Sequence, residues 1–130
     1  GGQTPEWVDG RSLLPFLGAG QAPEDWRTAA LSESIGETNK SDPDYLPFIP
    51  PPFSALRTQR WLYVEYDDGS TALYDRLTDP YELRNIVDSA DPTFVAALSA
   101  QLAQLDACAG PSCRNADAVT ITDPLPVPGT

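Results

Sequence analysis

From Trp61 to Tyr66 the chain alternates aromatic, aliphatic and polar side chains, W-L-Y-V-E-Y. A period of two places Trp61 and Tyr63 on one face of a strand and Leu62, Val64 and Tyr66 on the other. The polar stretch Asp67-Asp68-Gly69-Ser70 follows, and a second extended run, Thr71 to Asp75, comes back. Two such runs around a glycine-containing turn predict a β-hairpin, closed by Asp79-Pro80. Ser54 to Thr58 reads as a further strand, with Gln59 between it and Arg60–Tyr66, so that the two are separate or form one bent strand. Further on the period changes. Phe94, Val95, Leu98, Leu102 and Leu105 recur at spacings of three and four, behind Asp91 as N-cap and Pro92 at the first helical position. Gly110-Pro111 ends this helix. One helix across a small antiparallel sheet of about four strands is a two-layer α+β unit.

The rest is less regular. Residues 1–26 read as an irregular lead-in, 27–113 as the folded unit and 114–130 as a proline-rich tail. Trp26 to Ser34 suits a strand or a helix, and periodicity does not decide between them. Residues 36–53 hold Asp42-Pro43, Leu46-Pro47 and Pro50-Pro51-Pro52. Proline has no amide donor, so this long loop does not enter a central strand. Pro124-Leu125-Pro126-Val127-Pro128 makes the tail a polyproline-like strap or a disordered end.

Composition narrows the chemistry. The 130 residues carry 8 basic and 19 acidic side chains, a net charge of -11, which argues against nucleic acid and against anionic membrane surfaces as partners. Histidine is absent, so no Ser-His-Asp triad or histidine base resides here. No apolar run approaches the ~20 residues that span a bilayer. The opening Gly1-Gly2-Gln3, without methionine, reads as a processed product or an excised piece.

Cys108 and Cys113 are the two cysteines. With no histidine or further cysteine to complete a metal cage, a local disulfide is the favoured reading, which implies an oxidising compartment: periplasm, cell surface or the secreted state. Two free thiols in a reducing compartment are the alternative. Asp67-Asp68-Gly69 lacks the spaced ligands of an EF-hand loop and reads as a turn. Asp75, Asp79, Glu82 and Asp88 read as turn and capping groups. Asn39-Lys40-Ser41 matches a glycosylation acceptor. The aromatics Trp61, Tyr63, Tyr66, Tyr74 and Tyr81 serve either to pack the sheet or as a carbohydrate-stacking platform.

Arg57-Thr58, Tyr63-Val64, the glycine turn, Leu73-Tyr74-Asp75, Asp79-Pro80-x-Glu82 and Asn85 together resemble the C-terminal subdomain of type I sulfatases. These are alkaline-phosphatase-like α/β enzymes, and the likeness is to arylsulfatases and N-acetylglucosamine-6-sulfatase-like members. Asp9-Gly10-Arg11-Ser12-Leu13-Leu14-Pro15 resembles the phrase where their main domain hands over to that subdomain, and extends the likeness over about residues 8–113. The resemblance implies a strand over Trp26–Ser34. For the whole enzyme it implies a formylglycine nucleophile, calcium, and lysine and histidine around the sulfate. None of these maps onto this chain. Cys113 is followed directly by Arg114 and not by x-P-x-R, and Lys40 is the single lysine.

The expectation is therefore a C-terminal piece of a hydrolase of sulfuric esters, with no catalytic residue, metal ligand or cofactor of its own. Its partner is the N-terminal catalytic domain, whose substrate cleft it helps to wall. Phosphonate and phosphodiester hydrolases share the superfamily and leave the ester open. An autonomous extracellular carbohydrate- or protein-binding module is the alternative. Arg57, in the family's Arg-Thr phrase, is expected to be buried and paired with Asp75, Asp79 or Glu82, and Arg60 to be more exposed.

Overall fold

The computed structural model describes residues 5–17, 23, 26–35, 40, 41, 43 and 51–124. Most of the proline-rich loop before residue 51, Asn39 of the glycosylation triplet and the tail beyond Pro124 lie outside the described residues.

Four antiparallel strands lie in sequence order: β1 (Ala29–Ser34), β2 (Phe53–Thr58), β3 (Trp61–Tyr66) and β4 (Thr71–Asp75). The segment that periodicity left open is thus a strand, paired along β2 from Ala29↔Thr58 to Ser34↔Phe53. Between β2 and β3 the chain turns sharply rather than bending. The Thr58 hydroxyl accepts the Trp61 amide at 2.8 Å, so Gln59 and Arg60 are the corner of a hairpin.

The second turn is built by local polar groups. Asp68 accepts from the Ser70 amide at 2.9 Å and hydroxyl at 2.6 Å, and Gly69 takes a φ of 84°. A side chain at that φ would be strained, which is why glycine stands there.

One row of side chains runs across the inner face: Leu31, Leu56, Tyr63 and Leu73, successive register partners. Leu56 and Leu73 are fully buried there. Against this row lies α1 (Pro92–Asp106), whose Phe94, Leu98, Leu102 and Leu105 are buried. Trp61 packs edge-on against Phe94, with ring centroids 5.0 Å apart. The Asp91 carboxylate accepts the Thr93 and Phe94 amides at 2.7 and 3.3 Å, satisfying two of the free donors of the first turn. Asp91→Ala is expected to cost about 1 kcal/mol of stability in a urea titration.

The helix stops at Asp106, and Gly110-Pro111 opens a second one, α2 (Pro111–Ala116), where a terminator was expected. Gly110 has φ 56°, and proline fits the first helical position. Beyond α2 the chain returns along the sheet. The Asp117 carbonyl accepts the Thr28 and Ala29 amides at 2.7 and 3.1 Å. Gln101, buried in α1, donates to the carbonyls of Ala116 and Val119 at 3.0 and 3.1 Å. The stretch after α2 is therefore bonded into the unit at least to Asp123, which meets Arg60.

At the β4 edge the following loop supplies the missing partner. The Asn85 side chain accepts the Leu73 amide at 2.9 Å and donates to the Thr71 carbonyl at 3.1 Å. The Ile86 amide reaches the Leu73 carbonyl at 2.9 Å.

Candidate functional site

Seven arginines and one lysine stand against 19 acids, so where cations gather is informative. Among the described residues three arginine clusters form.

The first is buried. Arg60 is 7% exposed and Asp75 5%. Two parallel bonds join them, Nε to Oδ1 at 3.0 Å and Nη2 to Oδ2 at 2.8 Å, the bidentate fork that suits guanidinium and carboxylate. Nη1 reaches Asp123 at 2.8 Å. The guanidinium also lies 4.7 Å from the Trp61 ring centroid. The hydrogen bond from Arg60 holds the Asp75 carboxyl below the usual carboxylate range, against the opposing effect of burial. Asp75 also accepts the Leu77 amide at 3.1 Å, so one carboxylate fixes the end of β4 and the turn after it.

Arg57 does pair with Glu82, one of the three acids expected for it, but it is not buried as expected, and Arg60 is the more buried of the two. The Arg57 side chain is 47% exposed and meets Glu82 at 3.5 Å, a long contact. Asp79 does not meet it: that carboxylate accepts the Arg84 amide at 2.7 Å. Strand alternation explains the outcome. Residues 53, 55 and 57 face away from α1, whereas Asp75 shares the inner face with Leu73. Arg57 and Asp75 are on opposite sides of the sheet. Arg60, at the hairpin corner beside Trp61↔Asp75, is on the correct side.

In the second cluster Glu82 bridges Arg57 and Arg76, the latter at 3.2 Å. Arg76 also donates to the carbonyls of Thr58 and Gln59. Glu82 takes a φ of 57° without being glycine, a strained conformation that its two guanidinium partners help to hold. On either side of it Tyr81 and Leu83 are 82% and 81% exposed.

The third cluster ties the N-terminal segment to α2. Arg11 donates to Asp117 Oδ1 at 2.6 Å and Oδ2 at 3.2 Å, and to the Arg114 carbonyl. Arg114 donates to the Val8 carbonyl at 2.7 Å, and the Gly110 amide to Asp9 at 2.6 Å. A Cβ on Gly110 would lie 2.7 Å from the Glu6 carbonyl oxygen, so this close approach and the positive φ both require glycine. Cys108 and Cys113, joined by a disulfide, bracket that glycine.

The aromatics divide between two faces. Trp61 and Tyr63, 5% and 3% exposed, belong to the core. Burial, reinforced by a 2.9 Å bond to Glu65, pushes the Tyr63 hydroxyl up to about 12. On the outer face Phe53, Leu62, Tyr66 and Tyr74 cover Ala55, Val64 and Ala72. A shallow cleft of about 300 Å³ runs over these residues to Arg57 and Glu82. A larger one, about 590 Å³, opens at the other side of the β2–β3 corner among Trp26, Arg27, Arg57, Arg60 and Asp123.

Among the described residues no three His, Cys, Asp or Glu side chains gather in the manner of a metal cage. The described carboxylates do not gather as the oxygen cage of a calcium site of the kind the resemblance implies for a whole enzyme. No helix among the described residues is long and apolar enough to cross a membrane.

No protein-family model matches the chain. Curated proteins do. Bovine N-acetylglucosamine-6-sulfatase is 32% identical over 131 aligned residues, 82% of this chain and 23% of that protein. The multifunctional alkaline phosphatase superfamily protein PehA of Trinickia caryophylli is 32% identical over 100, covering 74% of this chain and 19% of its own length. Among solved structures, the phosphonate monoester hydrolase of Agrobacterium radiobacter superposes with a TM-score of 0.57 at 30% identity, over 76% of this chain and 20% of that one. A structure holding D-glucosamine-2-N,6-O-disulfate, described as its protein's substrate, gives 0.63 at 22% identity over 89% of this chain and 22% of the other, a likeness of fold. The chain thus spans about a quarter or less of the length of the relatives it matches.

Proposed function

The chain belongs to the sulfatase family, and we propose that it works there as the small C-terminal subdomain of a hydrolase of sulfuric esters. The carrying observation is the match over 82% of this chain to 23% of a sulfatase. Its role is structural: the four-stranded sheet and α1 form a rigid block that seats beside a catalytic part and helps to wall its substrate cleft. The chemistry belongs to that other part. Calcium and formylglycine, implied by the resemblance for the whole enzyme, are assigned there too. A sulfate ester is an anion, and a chain at -11 attracts it poorly without cations supplied from elsewhere. The disulfide supports a secreted, periplasmic or cell-surface location. Similarity to a phosphonate monoester hydrolase keeps phosphonate and phosphate esters beside sulfate esters as parent substrates.

A free-standing glycan-binding module is less well supported, because Trp61 and Tyr63 are in the core and unavailable for stacking on a sugar.

The purified 130-residue chain is expected to turn over neither an aryl sulfate nor an aryl phosphate, with or without calcium, having no histidine and a single lysine. The measurement is release of the phenol, followed by absorbance. Turnover that co-purifies with the chain and survives repeated chromatography would overturn the subdomain reading.

A further inference from the structure

Trp7, Leu13, Leu14 and Leu17 are 79%, 57%, 66% and 78% exposed, four large apolar side chains within residues 7–17. We propose that they form the surface by which this unit seats on an apolar face of the larger remainder of a sulfatase-family protein, a proposal that rests on the reading above.

The segment is not a loosely held end. Its polar groups face the unit: Arg11 grips Asp117, Asp9 accepts the Gly110 amide and the Val8 carbonyl accepts Arg114. Phe16 is 39% exposed and leans on Trp26, the two rings 4.6 Å apart. With Arg11, Asp9 and the Val8 carbonyl bonded to the unit, the leucines and Trp7 are left pointing out. A strap evolved to meet water would do the reverse. Summed over the four side chains, the exposed apolar surface is on the order of a few hundred Å², and so many large apolar groups left in water within eleven residues mark a segment made for contact. A fixed backbone also lowers the ordering cost of docking.

The occupant follows from two observations. The chain matches 23% of the length of its sulfatase relative, so in that protein about three quarters of the polypeptide is something this chain does not contain. A second copy is disfavoured, because two chains of charge -11 repel one another.

The test compares the purified chain with the whole gene product that carries it, by hydroxyl-radical footprinting read by mass spectrometry. Tyr81 and Leu83 serve as solvent-facing references. Modification of Trp7, Leu13, Leu14 and Leu17 is expected to fall several-fold in the whole product while the references hold. A Leu14→Glu/Leu17→Glu double variant changes exposed positions and is expected to leave the melting temperature of the isolated chain unchanged. In the whole product it is expected to return Trp7 to the modification rate of the isolated chain. If the four residues stay equally reactive while Tyr66 and Tyr74 become protected, seating uses the outer sheet face: the proposal is overturned and the subdomain reading stands. Protection that survives the double variant also overturns it. Protection that grows with the concentration of the isolated chain assigns the surface to a second copy and overturns it likewise. If no residue of this unit changes reactivity, or the gene product holds nothing beyond the unit, the subdomain reading fails and the proposal with it.

Discussion

Arg60→Ala is expected to lower the unfolding free energy by about 3–5 kcal/mol, whereas Arg57→Ala loses less than about 1 kcal/mol. The reason is what each deletion leaves behind. Without Arg60, the buried Asp75 loses both bonds of a bidentate pair, and Asp123 loses its bond to Nη1. Without Arg57, Glu82 still has Arg76 and still reaches water. Urea titrations of the two variants at pH 7 decide the matter, and equal losses would contradict the placement described above.

The same pair predicts a pH dependence. The folded Asp75 carboxyl lies below its ordinary value, so it contributes stability above the unfolded value of about 3.9. That contribution is lost as pH falls from there through the lower folded value. The gap between wild type and Arg60→Ala is therefore expected to be full at pH 7 and to shrink below about pH 4.

Leu56→Ala is expected to cost about 3 kcal/mol, within the 2–5 usual for a buried leucine. Leu56 is 0% exposed, at the centre of the inner row between Leu31 and Tyr63, and packs in the cluster with Leu98 and Leu102 of α1. Neighbours on two strands and a helix cannot close the void together. Leu83→Ala, at a position 81% exposed, is expected to change stability by less than about 0.5 kcal/mol. Thermal or urea unfolding of both variants measures the contrast, and a loss under about 1 kcal/mol at Leu56 would mean that the sheet and helix are not packed on each other.

The hairpin and the long helix were legible because each rests on a local period. Trp61 to Tyr66 alternates, and Asp91-Pro92 followed by spaced leucines announces a helix whatever surrounds it. Strand β1 was not legible from its residues alone. Ala29-Ala30-Leu31-Ser32-Glu33-Ser34 favours no period, and what makes it a strand is six backbone partners on β2, distant in sequence. Helix α2 was missed because Gly-Pro is both a way to end one helix and a way to begin the next.

The arginines show a different limit. A motif marked Arg57 as important, but face is a matter of register, and counting from Trp61 and Tyr63 through the β2–β3 corner would have put residue 57 on the side away from the helix. The signal that could have singled out Arg60 was its place at the corner of a hairpin whose return strand ends in aspartate. The apolar N-terminal residues were readable as leucines, yet their outward direction depends on Arg11 finding Asp117, more than a hundred residues away.

Asn85 has a further consequence. A small open sheet has two lateral margins, each a row of idle amides and carbonyls that invites a strand from another molecule. At β4 a side-chain amide does the work of a neighbouring backbone, engaging Leu73 and Thr71 without adding a fifth strand. At β1 the Asp117 carbonyl occupies the first donors of the opposite margin. The β4 margin is thus engaged along Thr71–Leu73 and the β1 margin at its first residues, which leaves less open edge for a strand from another molecule.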